Sequence, residues 1–282
     1  MSLCSRRVFT TQAATLLVGC ALPGAGVPNA LRSAHFILLG EVHDNAEHHR
    51  ARAQLLHELL ADGRTTRVLF EQMSIGTEAA IAEAPRNAEA VASAGRLDRK
   101  AWQWPLHKPL FEAALAAGAT LGGASLERDA VRAVMREGAS AAPTAFRPWL
   151  LDTRWTAAQQ ATQELFIEHG HCGLLPRSQW QPMVMGQRAR DAAMASAMLA
   201  APHGERVVLL AGNGHVRRDV GVPYYLEGAG VPARDVASVG YTERGDDDDP
   251  THAAFDIVFT LPAASRTDPC APLRERTPLS RR

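Results

Sequence analysis

Hydrophobic positions along this chain follow two rhythms. Short, almost unbroken apolar runs fall at His35 to Gly40, Arg67 to Glu71, Thr120 to Leu126, Arg206 to Ala211 and Ala254 to Leu261, with a weaker sixth at Val236 to Tyr241. Runs of that length without polar alternation predict strands covered on both faces. Between them the spacing turns helical. Ala46 to Leu60 places Leu55, Leu56, Leu59 and Leu60 on one stripe and stops at Asp62-Gly63, a C-terminal signal. Pro109 to Ala117 and Gln187 to Ala201 carry the same pattern. The alternation predicts an α/β fold, a mainly parallel sheet flanked by helices. The last two strands, separated by residues 245 to 250, read as an antiparallel edge hairpin. Residues 74–108 and 129–186 lack strand patterns and read as helical insertions forming a small cap domain. The α/β domain spans 35–262, and the Pro-rich stretch 263–282 reads as a disordered tail. No internal repeat is visible, and the Asp246 to Asp249 run reads as a solvated loop.

The N-terminus adds a destination. Ser5-Arg6-Arg7-Val8-Phe9 followed by an uncharged stretch from Ala13 to Leu22 has the charged and apolar regions of a secretory signal, and is too short to span a bilayer. The paired arginines match a twin-arginine signal as well as general export. Leu17-Val18-Gly19-Cys20 resembles a lipobox, which makes residues 1–19 a lipoprotein signal, Cys20 the acylated residue and 20–34 a linker. Acyl chains on Cys20 would anchor the chain in the cell envelope, on the periplasmic side or at the outer membrane, without a transmembrane helix.

Composition narrows the partners. Removing the 19-residue signal from 282 residues leaves about 263, enough for one large domain. The signal takes two of the 30 basic residues, so 28 face 30 acidic ones. A near-neutral chain without a basic stripe argues against nucleic acid. With Cys20 acylated, only Cys172 and Cys270 could pair, and nothing in their spacing requires it.

Chemistry gathers where four expected strands end, the edge at which open α/β sheets bind ligands. Gly40-Glu41-Val42-His43-Asp44-Asn45 and Glu47-His48-His49 follow the first strand. Glu71-Gln72 closes the second, Glu127-Arg128 follows the third and Gly212-Asn213-Gly214-His215 the fourth. Singly, Glu41, Asp44 and Glu47 fit helix-capping carboxylates; together the set points to a ligand. Three chemistries suit it. His43, Glu71 and His215 could hold a divalent metal ion and activate water. His43 could act as a metal-free general base oriented by a carboxylate. Histidine, tyrosine and arginine could bind haem, with Tyr224 and Tyr225 beside Arg217 and Arg218 as contacts; the same two tyrosines also fit simple packing of a short helix after Pro223.

The ordered series resembles the ChaN family of haem-binding uptake lipoproteins, within a superfamily that includes Tiki proteases and erythromycin-esterase-like hydrolases. It is carried by Leu39 to Asn45, His48-His49, Gln54, Phe70 to Met73, Trp102, Pro109-Leu110-Phe111, Leu126 to Arg128, Gln187 to Ala195, and Ala211 to Arg218 running to Pro223. The resemblance covers roughly residues 35 to 226. It implies an α/β domain with a helical subdomain, haem as cofactor, a homodimer around haem, an outer-membrane haem receptor as partner and a role in iron acquisition. The implied site is Glu41, His43, Glu71 and His215 with Gln187, Arg190 and Asp191. Haem contacts would come from His215, Gln187, Arg190, Tyr224, Tyr225 or His107, and propionate contacts from Arg217 or Arg218. His107-Lys108 stand where the family usually has a tyrosine; if that tyrosine binds iron in relatives, either His107 replaces it here or the haem role is lost. Similarity to the hydrolases makes Glu41, His43, Glu71 and His215 a catalytic set in the alternative reading.

Overall fold

A computed structural model describes residues 26–245, 250–268, 270, 271 and 274. The signal, the Cys20 lipidation site, the Asp246 to Asp249 run and most of the C-terminal stretch lie outside the described residues. Six strands form one sheet: β1 (Phe36–Leu39), β2 (Thr66–Ser74), β3 (Thr120–Ser125), β4 (Arg206–Leu210), β5 (Val236–Glu243) and β6 (Ile257–Leu261). Their spatial order is β3-β2-β4-β1-β5-β6, and every pairing is parallel. All six strands coincide with the apolar runs of the sequence.

The helices are α1 (Asn29–Ser33), α2 (Ala46–Leu60), α3 (Glu78–Glu83), α4 (Ala88–Ala94), α5 (Lys108–Ala116), α6 (Arg128–Glu137), α7 (Arg147–Leu150), α8 (Ala157–Gly170), α9 (Trp180–Leu199), α10 (Asn213–Val216) and α11 (Val222–Gly228). Strand alternation sends Ile37, Leu39, Val208 and Leu210 to one face, where Leu56 and Leu59 of α2 and Phe111 of α5 cover them. Phe36, Leu38, Val207 and Leu209 go to the other, under α9 and α11. The alanines at 189, 192, 193 and 195 on α9 are all buried. Both faces are thus apolar, which is why the strand runs show no polar alternation. The segments 74–108 and 129–186 are filled by α3, α4, α6, α7, α8 and the start of α9, with no strand beyond Ser74 among the described residues.

Two expectations are corrected. The β5–β6 pair is parallel, with Val239 opposite Ile257 and Glu243 opposite Leu261. The 244–256 connection is long enough to return along β5, as a parallel pair needs. Asp256, just before β6, fixes that return: its carboxylate accepts from the Ser238 amide near the start of β5, at 2.8 Å, and its own amide donates to the Ser238 carbonyl. Residues 263–268, expected to be disordered, run along the carboxyl edge instead. There Arg266 bonds Asp44 and Glu243 at 2.7–2.8 Å. Beyond them Cys270 is disulfide-bonded to Cys172, a pairing their spacing did not require.

The first glycine of Gly40-Glu41-Val42-His43 has a packing reason. A Cβ there would lie 2.2 Å from Asn213 Oδ1, 2.8 Å from Val216 Cγ2 and 3.0 Å from the Val239 carbonyl. Asn213 cannot easily retreat, because its side chain bonds both the amide and the carbonyl of Tyr241. Gly40→Ala should therefore cost about 1–3 kcal/mol in urea unfolding; an unchanged midpoint would contradict this packing.

Candidate functional site

Glu41 leaves the end of β1 and turns inward, and its side chain is fully buried. Oε1 accepts from His43 Nδ1 at 2.8 Å. Oε2 lies 2.9 Å from Arg52 Nη1 and 3.0 Å from His49 Nδ1, neither aligned as a hydrogen bond. Asn45 caps α2 by accepting from the Glu47 and His48 amides, which sets His48, His49 and Arg52 on the buried side of the first two turns. Arg52 Nη1 also donates to the carbonyls of Leu39, Gly40 and Ala211, tying α2 to the ends of β1 and β4. Burial alone would raise the Glu41 carboxyl, but Arg52 and the imidazoles of His43 and His49 hold it well below the usual carboxylate range. His48 faces away from this group: Nδ1 accepts from the Val42 amide, Nε2 donates to the Thr242 carbonyl, and burial lowers the ring to about 4.

A second cluster lies across the same edge. His215, at the end of β4 on α10, is clamped between Asp191 Oδ1 of α9 at 2.5 Å from Nδ1 and Glu71 Oε1 of β2 at 3.2 Å from Nε2. The other oxygen of Glu71 accepts from the Gly212 amide at 2.7 Å. Burial would lower the His215 pKa, yet the charges of Glu71 and Asp191 raise it to about 10. Glu71 falls to about 2: burial opposes this, and the charge and hydrogen bond of His215 drive it. Asp191 rises to about 6, because burial, helped by the charge of Glu71, outweighs the contact with His215.

Both clusters border one cleft of about 680 Å³, lined by the ends of β1 to β4, by Ala101 and Trp102 from the 74–108 insertion, and by Gln187 and Arg190 of α9. The His43 ring is the imidazole most open to it, with 52% of the side chain exposed against 7% for His215. Gly212 makes room for that ring, since a Cβ there would stand 2.7 Å from His43 Cε1. Trp102 packs edge-on against it at 5.1 Å. Burial works to lower the His43 pKa, but the hydrogen bond to Glu41 and the charge of Glu71 raise it overall. His43 Nε2 has no protein partner among the described residues, and Arg190 at the rim makes no ion pair among them. The arrangement can present a carboxylate-oriented imidazole, a buried imidazolium and two arginines, 128 and 190, to one ligand.

Glu41, His43, Glu71, Gln187, Arg190 and His215 are therefore brought together as the sequence predicts; the other expected haem contacts are not. Tyr225 is buried in the core with its hydroxyl on Arg188, and Tyr224 stacks edge-on against Trp155. Arg217 pairs with Asp219, and Arg218 with Glu227 and Asp256. All four lie outside the cleft, because α11 turns under α9 and the arginines bond to their own surroundings. His107 is sealed behind Trp102 against His49, its ring lowered by burial to about 3. Nor do His43, Glu71 and His215 form a metal set, since both His215 nitrogens already face carboxylates. Arg52 was missed as a site residue. Its signal was present, a charged residue in register with the apolar stripe of α2.

An all-parallel α/β sheet with a His/carboxylate cleft at its carboxyl edge is the class of protein that results. The family model described as haem-binding uptake, Tiki superfamily, ChaN matches residues 27–226, and the chain belongs to that family. Among solved structures, the fold is similar to ChaN of Campylobacter jejuni, whose structure is described as binding haem cofacially. The TM-score is 0.62 at 21% identity, covering 75% of this chain and 83% of that one. An erythromycin esterase, EreC, in its open conformation aligns at a TM-score of 0.42 and 14% identity, over 76% and 71% of the two chains. No curated protein sequence matches the chain significantly.

The His215 pair makes stability pH-dependent. A ring whose folded pKa of about 10 exceeds its unfolded value near 6.5 stabilises fully below about pH 6.5 and loses that contribution as pH rises through about 10. The Asp191 shift acts below this window. Urea unfolding should show stability declining by a few kcal/mol between about pH 6.5 and 10, with most of that decline lost in His215→Gln and the smaller part carried by His43 retained. Equal slopes in both proteins would contradict the clamp.

Proposed function

We propose that the protein is a haem-binding lipoprotein of the cell envelope that works in haem or iron acquisition and holds haem in this cleft. The observation that carries the reading is His43: half exposed, oriented through Nδ1 by the buried Glu41 carboxylate, with Nε2 unpartnered at the cleft of a haem-binding family's fold. A carboxylate behind a ligating imidazole fixes its orientation and raises its basicity.

The residues present fit haem. Val42, Trp102 and Leu126 offer an apolar wall, and Arg190, with Arg128 shared with Asp98 at 3.2 Å, offers charge for the carboxylates. His43 would hold the iron, in place of the expected Tyr224, Tyr225 or His107. Haem would supply iron in a form that can be carried and released. The acylated Cys20 would keep the domain on a membrane surface, and an outer-membrane haem receptor would be its natural partner. A second copy of the chain could cover the open side of the haem as a homodimer. The Cys172–Cys270 disulfide supports an oxidising compartment outside the cytoplasm.

Haem titration followed by visible absorption tests this reading. A saturable shift near one haem per chain is expected, weakened at least tenfold in His43→Ala, about 1.4 kcal/mol or more, and unchanged in Tyr224→Phe. No saturable shift, or full binding in His43→Ala, would overturn it.

One observation favours a second reading as a hydrolase. A haem pocket has no evident need of the buried Glu71–His215–Asp191 clamp, whereas hydrolysis could use His43 as base and the His215 imidazolium to stabilise developing negative charge. Ester or amide hydrolysis lost in His43→Ala and in His215→Gln, with no haem binding by the wild type, would decide for it.

A further inference from the structure

Behind His43, on the far side of Glu41 from the cleft, lies a second group of polar atoms that neither reading uses. Glu41, His49 and His107 each offer one ligand atom, all within 4.8 Å of one another, and all three residues are buried. His107 is 1% exposed, and neither of its ring nitrogens has a hydrogen-bond partner. Glu41 Oε2 and His49 Nδ1 also lack one, although they are only 3.0 Å apart.

Hydrogen bonding fixes the tautomer that makes this arrangement unusual. His49 Nε2 faces the His43 carbonyl at 2.9 Å. A carbonyl only accepts, so Nε2 carries the hydrogen and, in the neutral ring, Nδ1 carries a lone pair. That lone pair lies beside a carboxylate oxygen, and a third unsatisfied imidazole packs against both, its centroid 4.2 Å from that of His49. Buried acceptors do not face one another without something positive between them, here either a proton on Nδ1, as in the ion pair that holds the Glu41 carboxyl low, or a metal ion in that proton's place. Arg52 is the guanidinium nearby among the described residues. Its Nη1 is shared among three backbone carbonyls and is misaligned with Oε2, so it neutralises Glu41 without closing the gap.

We propose that Glu41, His49 and His107 form a buried site for a divalent transition-metal ion of the zinc class. Two imidazoles and a carboxylate are a donor set that zinc favours. The His43 carbonyl on His49 Nε2–H is the outer partner that metal-bound histidines ordinarily have. Trp102 closes the site on one side: its ring stands at right angles to His107, 5.7 Å away, and α5 begins with His107 as its cap. The ion would share the Glu41 carboxylate with His43, Oε2 on the metal and Oε1 on the imidazole, so that one carboxylate couples a structural metal to the residue facing the cleft. This also gives His107 a role where the family's tyrosine is absent, as an internal ligand instead of a haem contact.

The test uses the purified full-length protein without haem. After stripping with a chelator, exposure to zinc chloride and desalting, mass spectrometry should count about one zinc per chain. His43→Ala should keep it, and His107→Phe should bind at least tenfold more weakly. Cobalt(II) should give visible bands of a low-coordinate nitrogen and oxygen site in the wild type, lost in His107→Phe. If His107→Phe fails to fold, the wild-type zinc count and cobalt spectrum still decide. No retained zinc in the wild type, octahedral cobalt bands only, or equal retention in a folded His107→Phe would overturn the site and leave these atoms to buried water. Because His43→Ala keeps the metal while weakening haem binding, failure of either idea is read separately.

Discussion

The carboxyl edge of this protein depends on one buried carboxylate, Glu41. Without counter-charge, a carboxylate at that depth would be protonated or expelled. Arg52 supplies the charge, from a helix whose start is fixed by the Asn45 cap and whose guanidinium also binds carbonyls of β1 and of the residue after β4. The same ion pair that makes Glu41 tolerable therefore holds together α2 and two central strands. His43 is the outward end of this arrangement. Its ring stands at the cleft because Glu41 fixes one nitrogen and Gly212 leaves space for the other side.

The second clamp follows the same physics with the signs reversed. There the buried ring is the cation, and carboxylates from β2 and α9 hold it. The two clusters meet on the cleft wall, so charge at His43 and at His215 is felt by both, and Glu71 contributes to raising each ring. A ligand entering the cleft meets an oriented imidazole on one side and a buried ion pair on the other. That asymmetry suits a group with an electrophilic centre and anionic edges, as in an iron porphyrin, and equally a polarised carbonyl.

Much of this was legible in the sequence. The six apolar runs became the six strands because both faces of a parallel sheet are covered, and α2 ended where Asp62-Gly63 said it would. The histidines at 43 and 215, each following a glycine-containing turn after its strand, came together because strand ends in such a sheet share an edge. What was not legible depended on three-dimensional partners. The direction of β6 rests on Asp256 reaching back to Ser238, and the order of 263–268 rests on Arg266 reaching Asp44 and Glu243. Tyr224 and Tyr225 looked like ligands by proximity in sequence to His215, but α11 carries them under α9, where Arg188 and Trp155 receive them. His107 looked like a replacement for a tyrosine on iron and is instead sealed beside His49.

The central claim is that His43, oriented by Glu41, is the group that meets the ligand. Resonance Raman spectra of the ferrous haem complex test it most directly, in the wild type and in Glu41→Gln. The account predicts an iron–histidine stretch that moves to lower frequency when the carboxylate is neutralised, because the imidazole then loses basicity. An iron–histidine band unmoved by Glu41→Gln, or a spectrum of iron bound through phenolate, would contradict it.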